Sequence, residues 1–181
     1  MYCVAIDPGA SGGIAEINTD RMMISVMKMP ESTKEILQAL KKYKYANSMI
    51  LLEKQQARPS RWDSVIDAKT QKPKKVPIAA GASSAWSFAQ HYGELRGILE
   101  ALELTVIEYR PQEWMKLAGI RRKNKGESQT DWKNFLKSKA QQMYPGTKVT
   151  LAVADALIMA DLCHRLYGRT SKKEEDPYAD I

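Results

Sequence analysis

A short apolar strand that runs into an aspartate and then into a glycine-rich turn constrains this chain more than any other stretch. The strand covers Tyr2–Asp7, and Pro8 ends it because proline has a fixed φ and no N–H to donate. Gly9, Gly12 and Gly13 then permit the positive φ that a hairpin needs. The pattern predicts a β-hairpin with one carboxylate at the mouth of a sheet, where it suits a metal ion or a phosphate.

Apolar periodicity along the rest of the chain predicts one α/β domain built on a mixed sheet. Residues 1–167 are expected to form this domain, and 168–181 a polar, flexible tail. The long polar segment 54–77 contains prolines and is predicted to be a loop, of a length that compact domains reserve for function. Further strands are predicted at 13–18, 22–29, 49–53 and 104–109, and helices at 31–45, 81–101, 111–117, 128–144 and 149–167.

The positive charge of the chain is concentrated in two segments. The net charge is +7, and 54–80 holds seven basic residues against two acidic ones, while 116–139 holds eight against two. Clustering of this kind indicates a polyanionic partner such as a nucleic acid, although a merely basic, soluble surface is the alternative. The candidate DNA-binding residues are Arg58, Arg61, Lys74, Lys75, Lys116, Arg121, Arg122, Lys123, Lys125 and Lys133.

Other features of the sequence argue against a membrane or secreted protein. No run of 18 apolar residues exists, and the N-terminus has no basic start followed by a long apolar stretch, so we expect a cytoplasmic protein without a membrane partner. Cys3 and Cys163 lie in apolar segments and form no metal-binding spacing with His91 and His164. They are expected to be buried free thiols.

Three carboxylates stand in unusual apolar contexts. Asp7 and Glu53 each close a strand, and Asp155 lies within the apolar run 151–160. Burying a charge there is costly unless a cation compensates it, and Mg²⁺ prefers carboxylate oxygens. One or two such ions could activate water for attack on a phosphodiester. Taken singly, each acid could instead be an ordinary strand-end or helix-surface charge.

Helical spacing over 149–167 predicts which residues share a helical face with Asp155. At 100° per residue, position 152 falls on the same face as Asp155. Asp161 and His164 are turned away from it, so neither is expected to be a ligand.

The order of these motifs resembles the RuvC family of Holliday junction resolvases. The shared features are Asp7-Pro8-Gly9 followed by Gly12-Gly13, a strand ending in Glu53, and Ala154-Asp155-Ala156-Leu157 in a C-terminal helix. The resemblance implies a ribonuclease-H-like three-layer fold: a mixed five-stranded sheet with helices on both faces. It also implies a homodimer that nicks opposed strands of a four-way DNA junction with Mg²⁺ or Mn²⁺. Asp7, Glu53 and Asp155 then correspond to catalytic metal ligands, and 111–125 to a DNA-contacting region.

One position departs from the family pattern. RuvC-like proteins commonly carry a fourth acid three residues before the helix aspartate, and that position here is Ala152. Either this branch works with three carboxylates, or the chain is an inactive form that still binds DNA. The small size and the long basic segment resemble phage and poxvirus members, for which other branched DNA becomes a possible substrate.

Two further classes remain open from the sequence. An ATPase of the actin and sugar-kinase class also has an Asp-x-Gly-rich first hairpin, but it needs a second such hairpin in a duplicated domain. A ribonuclease of the same fold is the other alternative, because nothing in the sequence reads a 2′-hydroxyl.

Overall fold

A computed structural model describes residues 1–55, 61–78 and 81–168. Three strands come first, helices and strands follow in mixed order, and three helices come last. The strands are β1 (Tyr2–Asp7), β2 (Gly13–Asn18), β3 (Met23–Lys28), β4 (Ser48–Glu53), β5 (Arg61–Ile66), β6 (Pro73–Ile78) and β7 (Val106–Tyr109). The helices are α1 (Thr33–Lys41), α2 (Ala82–Ala101), α3 (Pro111–Leu117), α4 (Gln129–Met143) and α5 (Ala154–Tyr167).

Five strands form the central sheet, in the order β3-β2-β1-β4-β7. The first three are an antiparallel meander, and β4 and β7 join it in parallel with β1. Parallel neighbours require crossovers, which α1 and α2 supply. The predicted mixed five-stranded sheet is confirmed.

Side chains alternate between the two faces of this sheet and divide the core in two. On one face, Val4 and Ile6 of β1 pack in the cluster that α1 and α2 cover. On the other, Cys3 and Ala5 pack in the cluster formed by α3, α4 and α5. Helices therefore cover both faces, as expected. Asp7 has the parity of Cys3 and Ala5, so its side chain belongs to the α5 face.

The register of β1 and β4 brings two of the three singled-out acids side by side. Ile6 is paired with Leu52 in the parallel ladder, so Asp7 and Glu53 occupy the next position on neighbouring strands. Both lie at the carboxyl edge of the sheet and share a face. This edge is where α/β folds place their sites.

Helix α1 begins where the sequence predicts and ends earlier. Ser32 caps it: the Ser32 hydroxyl accepts from the Glu35 N–H, and the Glu35 carboxylate accepts from the Ser32 N–H. The helix ends at Lys41 rather than near Tyr45, because the chain turns there and buries Tyr43 against β2 and Tyr2.

The predicted loop over 54–77 is wrong: most of it is a two-stranded hairpin, β5 paired antiparallel with β6. Its turn is set by Asp67, whose carboxylate accepts from the backbone N–H groups of Lys69 and Thr70, while Gln71 adopts a left-handed φ of 55°. Prolines at both ends of β6 hid the strand from sequence reasoning, since proline is confined to strand ends and edges.

The last helix is also shorter than predicted, because 149–153 lies outside it. The Val149 N–H donates to the Gln141 side chain of α4, and the Val153 N–H to the Thr150 carbonyl, so these groups are satisfied by a turn. Asp155 therefore lies in the first turn of α5 and not in the middle of a longer helix. The inference that position 152 shares a helical face with Asp155 is wrong for the same reason.

The helix predicted at 81–101 buries large apolar side chains in its second half. Leu95, Ile98 and Leu99 lie in the core. Nearer the start of the helix, Trp86 is 72% exposed and Phe88 42% exposed. The first half of α2 thus presents aromatic surface to solvent.

Two smaller expectations can be checked against the described residues. Cys3 and Cys163 are both buried and free, as predicted. None of the helices in the described part of the chain is long and apolar enough to cross a membrane. The expected flexible tail beyond Gly168 lies outside the described residues.

Candidate metal and nucleic-acid site

Asp7 is held by the hairpin that follows it. The backbone of Gly12 passes so close that a Cβ there would lie 2.3 Å from the Asp7 carbonyl oxygen and 2.8 Å from its Cγ. The Gly12 N–H donates to the Gly9 carbonyl and closes the turn. The expected positive φ at Gly9, Gly12 and Gly13 is wrong, because glycine is needed at positions 12 and 13 for the close approach of the backbone and not for a left-handed conformation. Glycine at position 12 is therefore a steric requirement for the observed position of the Asp7 carboxylate.

We expect Gly12→Ala to destabilise the protein by about 1–3 kcal/mol, the usual cost of forcing an extra methyl group into packed structure. Part of this cost arises because the atoms in the way are backbone and cannot rotate aside. Chemical denaturation measures it. Gly146→Ala is the matched control, since a Cβ there meets nothing within 4 Å. Equal stabilities of the two variants would contradict the crowding at Gly12.

Glu53 is fixed by a partner that sequence reasoning did not identify. The indole Nε1–H of Trp114 donates to Glu53 Oε2 at 2.8 Å, and Gln55 Nε2 donates to Oε1 at 3.2 Å. Trp114 lies on α3 and is fully buried in the core beneath the site. The sequence signal for this partner was a tryptophan shortly after the helix start at Arg110-Pro111. Only the tertiary fold shows that its indole reaches the Glu53 carboxylate.

Asp155 comes to the same edge from α5. Its carboxylate lies in the first turn of the helix, where the helix dipole favours negative charge, and the residue is 6% exposed. Lys133 of α4 reaches it with an Nζ–Oδ2 distance of 2.7 Å. The other oxygen, Oδ1, is buried and has no hydrogen-bond partner among the described residues.

The pKa values show that the three acids form one electrostatic cluster. Burial, reinforced by the charge of Asp155, raises the pKa of Asp7 to about 6. Burial and the charges of Asp7 and Asp155 raise the pKa of Glu53 to about 7, against the opposing effect of the Trp114 hydrogen bond. The sequence-predicted acids are thus brought together, and their mutual repulsion is only partly offset by the charge of Lys133.

The donor set fits a hard divalent cation. Three carboxylates converge on one edge, and Asp155 offers a buried oxygen without a partner. Within the described residues, however, no three acidic, histidine or cysteine side chains are already spaced as ligands around one ion. The ammonium group of Lys133 interacts with all three acids. Asp7, Glu53 and Asp155 therefore have the chemistry to hold Mg²⁺ or Mn²⁺, in a cluster that a lysine partly neutralises.

The raised pKa values predict how stability depends on pH in the absence of metal. Between about pH 4 and pH 7 the folded protein binds more protons at Asp7 and Glu53 than the unfolded chain does, so the free energy of unfolding falls as pH rises. Between pH 5 and pH 7.5 the loss is on the order of 4 kcal/mol, because about one pKa unit of the Asp7 shift and about two units of the Glu53 shift fall in this interval, and one unit corresponds to about 1.4 kcal/mol. Denaturation in EDTA at pH 5 and pH 7.5 measures it, and Glu53→Gln should flatten the dependence. A stability that rises over this interval would contradict the raised values.

A groove of about 1010 Å³ leads from the acids across α3 and α4. Its walls combine the acidic edge with basic and aromatic side chains, which is the composition expected of a nucleic-acid channel. The lining includes Glu53, Met115, Lys116, Arg121, Arg122, Lys123, Trp132, Lys133 and Asp155.

Arg121 is engaged within the protein. Its guanidinium forms two hydrogen bonds to the Glu127 carboxylate, at 2.9 and 2.7 Å, and lies 4.1 Å from the centroid of the Phe135 ring. The Arg121 pair and a hydrogen bond from the Asn124 N–H lower the pKa of Glu127 to about 2. Arg121 therefore folds the basic segment 119–127 onto α4, which leaves its neighbour Arg122 exposed in the groove.

The remaining candidate DNA-binding residues lie in two places. Lys116, Arg122 and Lys123 line the groove, and Lys125 is exposed nearby in the same segment. Lys74 and Lys75 are exposed on β6 of the hairpin. Arg58 lies outside the described residues, and Arg61 begins β5 with a side chain that is likewise not described.

The residues that flank Asp155 take no part in the cluster. Ala152 packs partly buried against the core on the α5 face, and its carbonyl lies close to Gly13. Asp161 accepts hydrogen bonds from Tyr144 and Arg165. It therefore has other partners, in agreement with the prediction that it faces away.

Comparison with known proteins bears on the fold. No protein-family model and no curated protein sequence matches the chain. Among solved structures it is similar to T. thermophilus RuvC in complex with Holliday junction substrate, with a TM-score of 0.53, 15% identity, and coverage of 94% of this chain and 97% of that chain. It is also similar to another structure of Thermus thermophilus RuvC, with a TM-score of 0.53, 17% identity, and coverage of 93% and 96%.

These likenesses define the class of fold. The chain is an α/β protein with the ribonuclease-H-like architecture of RuvC: a mixed five-stranded sheet between two layers of helices. The fold expected from the sequence is confirmed. The particular activity is a separate question, since identities of 15% and 17% speak for the fold alone.

Proposed function

We propose that this protein is a metal-dependent, structure-selective DNA endonuclease that nicks Holliday junctions or other branched DNA by phosphodiester hydrolysis. The observation that carries the proposal is the cluster of Asp7, Glu53 and Asp155, which opens directly into a basic groove. Buried carboxylates that raise one another's pKa are costly for stability and are typical of functional sites.

Each acid has a defined place in the proposed chemistry. Asp7 and Glu53, on adjacent strands, form one side of the site, and Asp155 closes it from α5. Together they would hold Mg²⁺ or Mn²⁺, one or two ions per subunit. Such an ion supplies an activated water and stabilises the leaving oxygen. The chain itself contributes rigid placement, through Gly12 behind Asp7 and Trp114 behind Glu53.

The groove is the proposed path of the DNA backbone. Lys116, Arg122 and Lys123 neutralise phosphates there, and Lys74 and Lys75, exposed on β6, extend the contact along the hairpin. Arg58 and Arg61 join this proposal on the sequence pattern alone. Contacts of this kind give affinity without reading sequence.

Lys116→Gln combined with Arg122→Gln should weaken DNA binding and flatten its salt dependence. Loss of two phosphate contacts lowers the slope of log K against log salt by about 2. Fluorescence anisotropy with a labelled junction at several salt concentrations measures the slope. Lys34→Gln, an exposed lysine of α1 outside the groove, is the control. An unchanged slope in the double variant would remove the groove from the DNA path.

A homodimer is part of the proposal, with α2 as its interface. The first half of this helix exposes Trp86 and Phe88, and large aromatic residues are enriched at protein interfaces. Closed two-fold pairs are the commonest assembly, and a four-way junction offers two equivalent strands to two sites. Sedimentation velocity tests whether the chain has the mass of two subunits.

The proposed substrate is branched DNA, because the similar RuvC structure holds a Holliday junction substrate. We further propose that the chain belongs to the phage and poxvirus type of resolvase and acts in the cytoplasm. The support for this branch is the small size of the chain and its long basic segment, most of which forms the hairpin of β5 and β6.

Incubation of the purified protein with labelled DNA tests the activity. A synthetic four-way junction should be nicked in Mg²⁺ and left intact in EDTA. Linear duplex DNA and RNA of the same sequence are the comparison substrates. Preferential cleavage of RNA would assign the protein to the ribonucleases of this fold.

The second candidate is a protein that binds branched nucleic acid without cutting it, and Ala152 is the observation in its favour. The site then has three carboxylates where four are common. Ala152→Asp tests this directly: failure of both the wild type and this variant to nick a junction that they bind would establish the binding protein.

A further inference from the structure

Lys133 occupies an unusual position for a basic residue in a nucleic-acid groove. Its ammonium nitrogen lies 2.7 Å from Asp155 Oδ2, and the two side chains are 34% and 8% exposed. Burial disfavours the ammonium charge, but the charges of Asp155, Asp7 and Glu53 outweigh this and raise the pKa of Lys133. Lys133 therefore compensates the whole acid cluster.

The other basic side chains of the groove are not placed to do this. Arg121 is paired with Glu127, and Lys123 donates to Gln129 at 3.1 Å. Within the described residues, Lys133 is the cation paired with an acid of the cluster. Its helix is fixed by Trp132 and Leu136, which are buried beneath it.

The cluster is organised around this lysine. The acids are not spaced as ligands of one ion within the described residues, and Asp155 has one oxygen on Lys133 and the other buried without a partner. A divalent cation bound to Asp155 would repel an ammonium group beside the same carboxylate, because like charges at such range repel strongly at a protein-like dielectric. Lys133 and the cation therefore compete for the Asp155 carboxylate.

We propose that Lys133 is a built-in counter-ion of the acid cluster, which holds Asp155 in the absence of a divalent cation and turns to a DNA phosphate when the cation binds. The inference rests on the proposed function. A lysine suits this role because its charge is a point at the end of a flexible four-carbon stem. Movement of this side chain within the open groove is sufficient, so α4 keeps its place. Lys133 is accordingly a positioning residue for both the cation and the substrate.

The proposal has a consequence for metal binding that needs no DNA and no catalysis. Lys133→Met removes the competing charge, so the variant should bind Mn²⁺ about tenfold more tightly than the wild type. Its metal-free form should be less stable, since Asp155 loses its partner, and Mn²⁺ should restore the stability. Isothermal titration and thermal unfolding, each with Mn²⁺ alone, measure these effects.

Lys137→Met is the matched control, because Lys137 is exposed one turn further along the same helix. It should bind Mn²⁺ like the wild type. Lys133→Arg, which keeps the charge, should not gain affinity. Lys133→Gln serves as a second neutral variant if the methionine variant fails to fold. An unchanged or weaker Mn²⁺ affinity in the neutral variants would overturn the proposal.

Binding of a four-way junction tests the second half of the inference. In EDTA, Lys133 is held by Asp155, so Lys133→Met should bind the junction as the wild type does. In Ca²⁺ the same variant should bind several-fold more weakly, through loss of one phosphate contact. Equal weakening under both conditions would overturn the proposal. A wild type that binds no Mn²⁺ would overturn the proposed metal-dependent function itself. Equal Mn²⁺ affinities of the wild type and the variant would overturn only the proposal for Lys133.

Discussion

Replacing Asp7 with asparagine should abolish metal-dependent nicking of a four-way junction while leaving junction binding intact. The substitution keeps the shape of the side chain but removes one of three carboxylates that would hold the cation. Loss of a residue that merely orients a ligand costs about 10- to 100-fold, so loss of a ligand should cost at least about 100-fold. The expected defect is therefore in cleavage and metal affinity, measured by nicking rates and by Mn²⁺ titration.

The stability of the Asp7→Asn variant provides an independent readout. Burial and the charge of Asp155 oppose ionisation of Asp7, so its neutral replacement should raise the metal-free melting temperature at pH 7.5. Asp20→Asn is the control, because Asp20 pairs with the N-terminal ammonium group far from the site. An Asp7→Asn variant with undiminished nicking in Mg²⁺ would refute the assignment of the site.

Trp114→Phe should reduce nicking about 10- to 100-fold, the range for partners that orient a metal ligand. Phenylalanine fills much of the buried volume but cannot donate to Glu53 Oε2, so the carboxylate loses its fixed orientation. Trp114→Ala should in addition cost about 3–5 kcal/mol of folding stability, because the residue is fully buried. Nicking rates and denaturation curves of the two variants distinguish loss of the Glu53 orientation from loss of packing around Trp114.

Tyr92→Phe is the matched control for Trp114→Phe. It also removes an aromatic donor from a carboxylate, since the Tyr92 hydroxyl donates to Glu108 Oε1 at 3.2 Å, but on the opposite face of the sheet. Nicking by this variant should equal that of the wild type. Equal defects in both variants would show that the effect of Trp114 is a general loss of packing.

The architecture could be predicted from local patterns because each of its main elements is locally consistent. The run into Asp7 reads as a strand, the Ser32–Glu35 capping box marks a helix start, and the apolar run into Glu53 reads as a buried strand. Residues three or four positions apart suffice for such inferences. The strand order and the crossovers then follow from few alternatives.

The errors have two physical causes, a tertiary hydrogen bond in one case and an unrecognised local turn in the other. The segment 149–153 is apolar enough for a helix, yet the Val149 N–H donates to the Gln141 side chain of α4 and the chain forms a turn before α5 begins. The hairpin of β5 and β6 is stabilised by a turn around Asp67 that its proline content obscured. Local propensity is a weak prior against tertiary hydrogen bonds.

The acids of the candidate site could be predicted from the sequence, but the residues that contact them could not. Asp7, Glu53 and Asp155 stand out because each interrupts an apolar context, and burial confirms that the context matters. Trp114 and Lys133 carry no comparable signal, because an aromatic or basic residue on an amphipathic helix is ordinary. Only the packing of α3 and α4 beneath the sheet edge reveals which carboxylates they meet.

The site joins the first and the last of the described elements, since β1 supplies Asp7 and α5 supplies Asp155. During synthesis, a ribosome must complete nearly the whole domain before the last carboxylate can dock beside the first. Fragments from premature termination would carry Asp7 and Glu53 without Asp155. If the protein is the proposed nuclease, incomplete chains cannot cut DNA, because the third carboxylate is added only with α5.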